Sequence, residues 1–132
     1  MKRVHLATIA LLAGTMCGLA AQTAAGADSP FRVTMAKVRE VAMTSTRSNG
    51  YGTYVMLTVS FDQAVGACGS TTQNQVGVYQ VYLADPSFLI TQLALEGMRQ
   101  LAASALLSGR GVRVQTEGCA DIHPRIDSLQ LQ

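Results

Sequence analysis

DPSFLITQLALEGMRQLAASALLSGRGVRV, residues 85–114, holds start, period and stop signals together, and its reading decides the fold. Asp85 can cap a helix with Pro86 at its first position, where a missing N–H costs nothing, and Gly109 stands where a left-handed C-terminal cap belongs. Between them Ile90, Leu93, Ala94, Met98, Leu101, Ala102 and Ala105 recur at three- and four-residue steps, which predicts a helix over Pro86–Ser108 with one apolar stripe. A strand follows at once, with Val112 and Val114 alternating with Arg113 and Gln115 up to Gly118 and Cys119. A striped helix needs something to cover, and the flanking segments supply it.

Upstream, Phe31, Val33 and Met35 alternate, slip at Val38 and resume at Val41 and Met43, which predicts a long strand bulged near Ala36–Arg39. Residues 44–52, TSTRSNGYG, read as a turn, with Asn49-Gly50 as the positive-φ pair of a tight hairpin. Val55, Leu57, Val59 and Phe61 then face one way while Tyr54, Met56, Thr58 and Ser60 face the other, a strand with one core face. Residues 62–75 form a polar loop with Cys68 at its middle. A third strand over residues 76–83 is apolar on both faces, so its register is open. Downstream, residues 120–124 make a turn, and RIDSLQL gives a short last strand of imperfect alternation.

The first 27 residues stand apart. Met1-Lys2-Arg3 precedes an apolar run from Val4 to Ala21 and a small-residue tail ending at Ala27, the three-part pattern of a secretory signal peptide. The expectation is a leader over residues 1–27 and one domain over residues 28–132, secreted or periplasmic, with no membrane association after cleavage. Of ten Lys and Arg against eight Asp and Glu, Lys2 and Arg3 leave with the leader, so eight balance eight. A near-neutral chain with scattered cations does not offer the basic surface that nucleic acid requires. Cys68 and Cys119 are the only cysteines beyond residue 27, and an even pair in an exported chain predicts one disulfide.

Three strands, a helix and two strands is the order of a five-stranded OB-fold barrel, all-β with one helix between strands three and four. In that topology strands three and five run parallel, so the loops preceding them emerge at one end, and Cys68 and Cys119 lie in those loops. The alternative is an α+β sheet with one packed helix. The leader, the strand order, the central helix and the cysteine pair together resemble the small OB-fold B subunits of AB-type bacterial toxins, the subtilase-cytotoxin and pertussis-like group. The wording closest to them is LEGMRQLAASALLSGRGVRVQTEGC, residues 95–119. The resemblance implies a ring-forming homo-oligomer that binds cell-surface glycans. It carries over no sugar-contacting residue, and the chain has no Trp.

The residues that carry chemistry are sparse. His123 is the only histidine after the leader, and Asp121-Ile122-His123-Pro124 reads as a polar turn rather than a metal site or a catalytic pair. No nucleophile motif, phosphate-cradling loop or zinc signature occurs, so the expectation is a non-enzymatic binding protein without cofactor or metal. Its candidate ligand-binding residues are Tyr51 in the hairpin turn, Tyr54 and Met56 on the outer face of strand two, and Tyr82 if strand three takes the matching register. OB-folds commonly bind on that surface. A glycan or a protein is the expected partner. The alternative function is a monomeric inhibitor or envelope component working through protein contacts.

Overall fold

The computed structural model describes residues 30–132, and the leader expected over residues 1–27 lies outside the described residues. The elements are β1 (Arg32–Asn49), β2 (Gly52–Phe61), α1 (Thr71–Asn74), β3 (Val76–Tyr82), α2 (Phe88–Ser108), β4 (Gly111–Ala120) and β5 (His123–Leu131). The protein is mostly β-sheet with one main helix. β1 pairs antiparallel with β4 through its first six residues and with β2 through the rest. Counted by those two halves, the sheet has six strands rather than the expected five. The pairing order is β1-β2-β3-β5-β4 and returns to β1, with β3 and β5 parallel at Val78 and Arg125.

β1 can serve two partners because an inserted residue bends it. Val38 pairs with Phe61 and Glu40 with Ser60, so Arg39 is the extra residue, at the edge of the expected bulge. The strand also runs further than the sequence suggested. Thr44, Arg47, Ser48 and Asn49 still pair with β2, and the turn shrinks to Gly50 and Tyr51. Asn49 and Gly50 are not its positive-φ pair. Instead the Asn49 carboxamide oxygen accepts the Tyr51 N–H at 2.8 Å, an Asx turn, and Gly52 takes the positive φ of 129°. β5 likewise begins at His123, leaving Asp121 and Ile122 as the turn. A register shift after Ile126 explains its imperfect alternation.

The helix differs from expectation in where it starts and how it is rotated. α2 begins at Phe88, not Pro86. Asp85 works one step earlier, its carboxylate accepting the Ser87 N–H at 2.7 Å and its carbonyl the Phe88 N–H, and the N-cap Ser87 makes no side-chain cap bond. Gly109 closes the C-terminus at φ 69° as a left-handed cap. The face on the core is Leu95, Ala102 and Ala105, with Phe88, Met98 and Leu101 half-buried beside them. Ile90, Leu93 and Ala94, expected in the buried stripe, are exposed. Apolar residues occupy several faces of this helix, so periodicity alone chose a stripe rotated away from the true contact.

Leu57, Val59, Phe61, Val81, Val112, Val114 and Ile126 fill the interior against α2. Each such side chain contributes about 1.5–3 kcal/mol when fully buried. The expected disulfide joins Cys68 to Cys119 with Cα atoms 5.7 Å apart, and ties the β2–β3 loop to the end of β4. That loop is more ordered than a polar linker. Ser70 and Gln73 form a reciprocal capping box on α1, and the buried Thr116 hydroxyl donates to the Val65 carbonyl at 2.6 Å. Asn74 extends this scaffold, accepting the Cys68 and Gly69 N–H groups on its carboxamide oxygen.

Candidate functional site

Side chains at directly paired positions of neighbouring strands share a sheet face. On β2 the inward residues are Leu57, Val59 and Phe61, so Tyr54, Met56, Thr58 and Ser60 point outward. Register then extends this face in rows across three strands. Arg47 lies opposite Tyr54 and Tyr54 opposite Tyr82; the next row is Thr44, Met56 and Gln80, and the one after it Ala42, Thr58 and Val78. The open question about β3 is thereby answered. Tyr82 shares the outer face with Tyr54, and Tyr79 and Val81 turn inward.

Tyr54, Met56 and Tyr82 are therefore one constellation. The Tyr54 and Tyr82 rings sit 5.5 Å apart between centroids, tilted by 52°, a favourable aromatic arrangement. The Tyr82 hydroxyl accepts the Asn49 side-chain N–H at 3.1 Å, and the Gln80 amide points to the Met56 sulfur at 3.8 Å. Tyr51 stands beside them at the hairpin tip, 90% exposed. Asn49 links the two parts, since its N–H group holds the Tyr82 hydroxyl while its oxygen holds the Tyr51 backbone. Ser48 and Thr53 bridge the same hairpin through their hydroxyls at 3.0 Å.

Arg47 was missed in the sequence because it falls in the segment read as a turn. A second bulge places it. Between the pairs Thr44–Met56 and Arg47–Tyr54, β1 advances three residues while β2 advances two, and the extra residue brings Arg47 onto the tyrosine face. No periodicity in TSTRSNGYG announces that insertion. The face thus carries Arg47 where strands two and three alone offered no cation, with Glu40 on the same face of β1 opposite Ser60, and Arg125 of β5 paired beside Val78 at its far edge.

His123 and Asp121 each hold a place in the fold. The His123 Nδ1 lies 3.1 Å from the Gln73 carbonyl, a structural contact between β5 and α1, and Asp121 occupies a positive-φ turn position at 58°. Among the described residues no group of three His, Cys, Asp or Glu side chains is placed to hold a metal ion. Among the described residues three groups have displaced acidities, and one of them, Arg99, is raised by its hydrogen bond to Glu96. Burial, reinforced by nearby Asp127, pushes the Tyr79 hydroxyl upward, and hydrogen bonds from Arg99 and Gln100 hold the Glu96 carboxyl at about 2. Glu96 and Arg99 form a bidentate pair at 2.6 and 2.8 Å on the half-exposed side of α2.

A concavity of about 580 Å³ opens between α2 and the β1–β2 hairpin and is lined by Met43, Val55, Gln92, Leu93, Leu95 and Glu96. It is mainly apolar, in contrast with the tyrosine face. No described helix is long and apolar enough to cross a membrane. Comparison with protein-family models, with curated proteins and with solved structures finds no match.

Proposed function

We propose that the protein is an exported OB-type binding module that takes a glycan on the outer face of β1, β2 and β3. The OB reading draws support from the strand order, the parallel β3–β5 pair and the helix between β3 and β4. Export draws support from the basic-apolar-small pattern of residues 1–27 and from the disulfide. The observation that carries the ligand class is the Tyr54–Tyr82 pair set in register between Arg47 and the hairpin held by Asn49. A sugar ring presents apolar C–H faces to an aromatic surface and hydroxyls around its rim. Tyr54 and Tyr82 supply the first, and Arg47, Asn49 and Gln80 supply hydrogen-bonding groups at the edges.

Two rival ligand classes fit less well. A single-stranded nucleic acid needs a cationic track beside its stacking platform, and here Arg47 and Arg125 lie two rows apart, with Glu40 on the same face of a near-neutral chain. A protein partner is the second reading, and the exposed apolar side chains of α2 favour it at a different surface. The toxin B-subunit resemblance belongs to this proposal for its fold and ligand class. Binding at the tyrosine face requires no particular assembly.

Screening the oxidised protein against an immobilised panel of cell-surface and envelope oligosaccharides tests the proposal, followed by titration calorimetry on any hit. Tyr54→Ala and Tyr82→Ala are expected to weaken binding about 10- to 100-fold, the cost of losing one stacking residue. No binding to any glycan, or undiminished binding by both variants, overturns it.

A further inference from the structure

The solvent side of α2 is as patterned as its core side. Ile90, Leu93, Gly97, Gln100, Ser104 and Leu107 follow one another at steps of three, four, three, four and three residues, the a and d spacing of a coiled-coil seam. All six are exposed, Ile90, Leu93 and Leu107 by 73, 75 and 88%. The buried Leu95, Ala102 and Ala105 lie on the opposite side. This stripe is surplus to folding the single chain.

The spacing reads the same from either end, so two antiparallel copies centred between Met98 and Arg99 keep the six positions in register, with Ile90 and Leu93 toward one end, Leu107 at the other and Gly97, Gln100 and Ser104 between. From this we infer that α2 is the interface of a two-fold symmetric homodimer in which the helices of two copies pack antiparallel. In that arrangement Ile90 of one copy meets Leu107 of the other, Leu93 meets Ser104, and Gly97 meets Gln100. Ile90 and Leu107 thus form an apolar pair at each end, and Leu93 faces a small residue. Gly97 has nothing within 4 Å of where a Cβ would stand, so the backbones can approach closely at the centre. A two-fold contact is self-complementary by construction, since the same patch serves both partners.

Charge agrees with that occupant. Two copies of one surface bring like charges together, so a self-associating patch must be neutral or internally paired. None of the six positions is charged, and the nearby Glu96 and Arg99 neutralise each other within one helix. Size sets the strength. A helix of 21 residues is about 30 Å long and about 10–12 Å wide, which gives a footprint on the order of 300 Å² per copy. Stable interfaces bury about 800 Å² per partner, so the dimer is a weak one, and without charged contacts it is insensitive to salt.

Sedimentation velocity of the oxidised protein, purified after expression of the full chain, across a wide concentration range tests the inference. The expected result is a reversible monomer–dimer equilibrium unaffected by added salt. Leu93→Glu and Leu107→Glu should each weaken it about 100-fold, because a carboxylate would be buried against an apolar or neutral partner. Both positions are exposed in the single chain, so the melting temperature measured at dilute monomer concentration should not move. Geometry has its own readout. Gly97→Cys and Gln100→Cys proteins, mixed and treated with a short bismaleimide, should cross-link 97 to 100 in preference to 97 to 97. A monomer at every concentration, a higher ring, a dimer indifferent to both glutamates, or preferential 97-to-97 linkage overturns the proposal. Each of these outcomes is independent of glycan binding at the tyrosine face.

Discussion

The two ends of the sheet are built on opposite plans. At one end the β2–β3 loop and the β4–β5 turn are joined by the Cys68–Cys119 disulfide, the Thr116–Val65 bond, the His123–Gln73 contact and a capped turn of helix. At the other, a two-residue turn carries Tyr51 into solvent and is held by Asn49 and by the Ser48–Thr53 pair. The glycines show the same contrast. A Cβ on Gly66 would stand 2.4 Å from the Pro124 side chain, whereas one on Gly50 would meet nothing within 4 Å. Stability is concentrated at the end that carries no candidate ligand residue, which leaves the tyrosine end free to specialise.

Breaking the disulfide should have the largest effect. With the cysteines 51 positions apart in sequence, paired Cys68→Ser and Cys119→Ser replacement is expected to cost about 4 kcal/mol in urea unfolding. A loss below about 1 kcal/mol would show that the polar contacts hold this end without it. Next, Gly66→Ala should cost about 1–3 kcal/mol by overpacking against Pro124, while Gly50→Ala stays within about 0.5 kcal/mol of the parent. Equal effects from the two alanines would erase the contrast between the ends.

Thr116→Val removes the donor to the Val65 carbonyl in a fully buried position, and an expected loss of about 1–2 kcal/mol can be read from the urea midpoint. At the hairpin, Asn49→Ala should cost less than about 1 kcal/mol, because its bonds are solvent-exposed, yet it should weaken glycan binding by releasing Tyr51 and Tyr82 together. A large stability loss there would mean the hairpin is structural after all. The smallest effect belongs to neither end. The Glu96 carboxyl should titrate near pH 2 by carbon-detected NMR and return to the ordinary carboxylate range in Arg99→Gln. Because its acidity is depressed in the folded state, its stabilising contribution is present above the unfolded value of about 4.3 and fades as pH falls toward 2. Added salt should shrink it further, since the pair is exposed.

Much of the architecture was legible because it follows from local signals. Strand alternation at Val55–Phe61, the left-handed Gly109 and the even cysteine pair each have a single physical reading, and each holds in the structure. What was illegible depends on tertiary choice. Residues 44–49 have the composition of a turn, but pairing of Thr44, Arg47, Ser48 and Asn49 with β2 draws the segment into β1. The rotation of α2 was hidden because Leu, Ile and Ala lie on more than one of its faces, and only contact with Val81 and its neighbours selects among them. Tyr51, Tyr54 and Met56 were readable as outward residues of a strand and its turn, whereas Tyr82 depended on the β3 register that pairing with β2 sets. Arg47 and Asn49 were not, since a bulge and an Asx turn place them.

The parallel pairing of β3 with β5 also sets how the chain reaches this structure. Val78 and Arg125 are far apart in sequence, with the whole of α2 and β4 between them, so their meeting carries the loop-closure entropy of a long chain segment. Until it happens, both strands present unpaired edges open to other molecules. Cys68 lies shortly before β3 and Cys119 shortly before β5, so an early sulfur–sulfur bond brings the two strand starts together and shortens the search to a few residues on each side. The oxidised chain should therefore refold faster, and with less aggregation, than the reduced one. In that sense the cross-link acts during folding as a splint as well as afterwards as a tether.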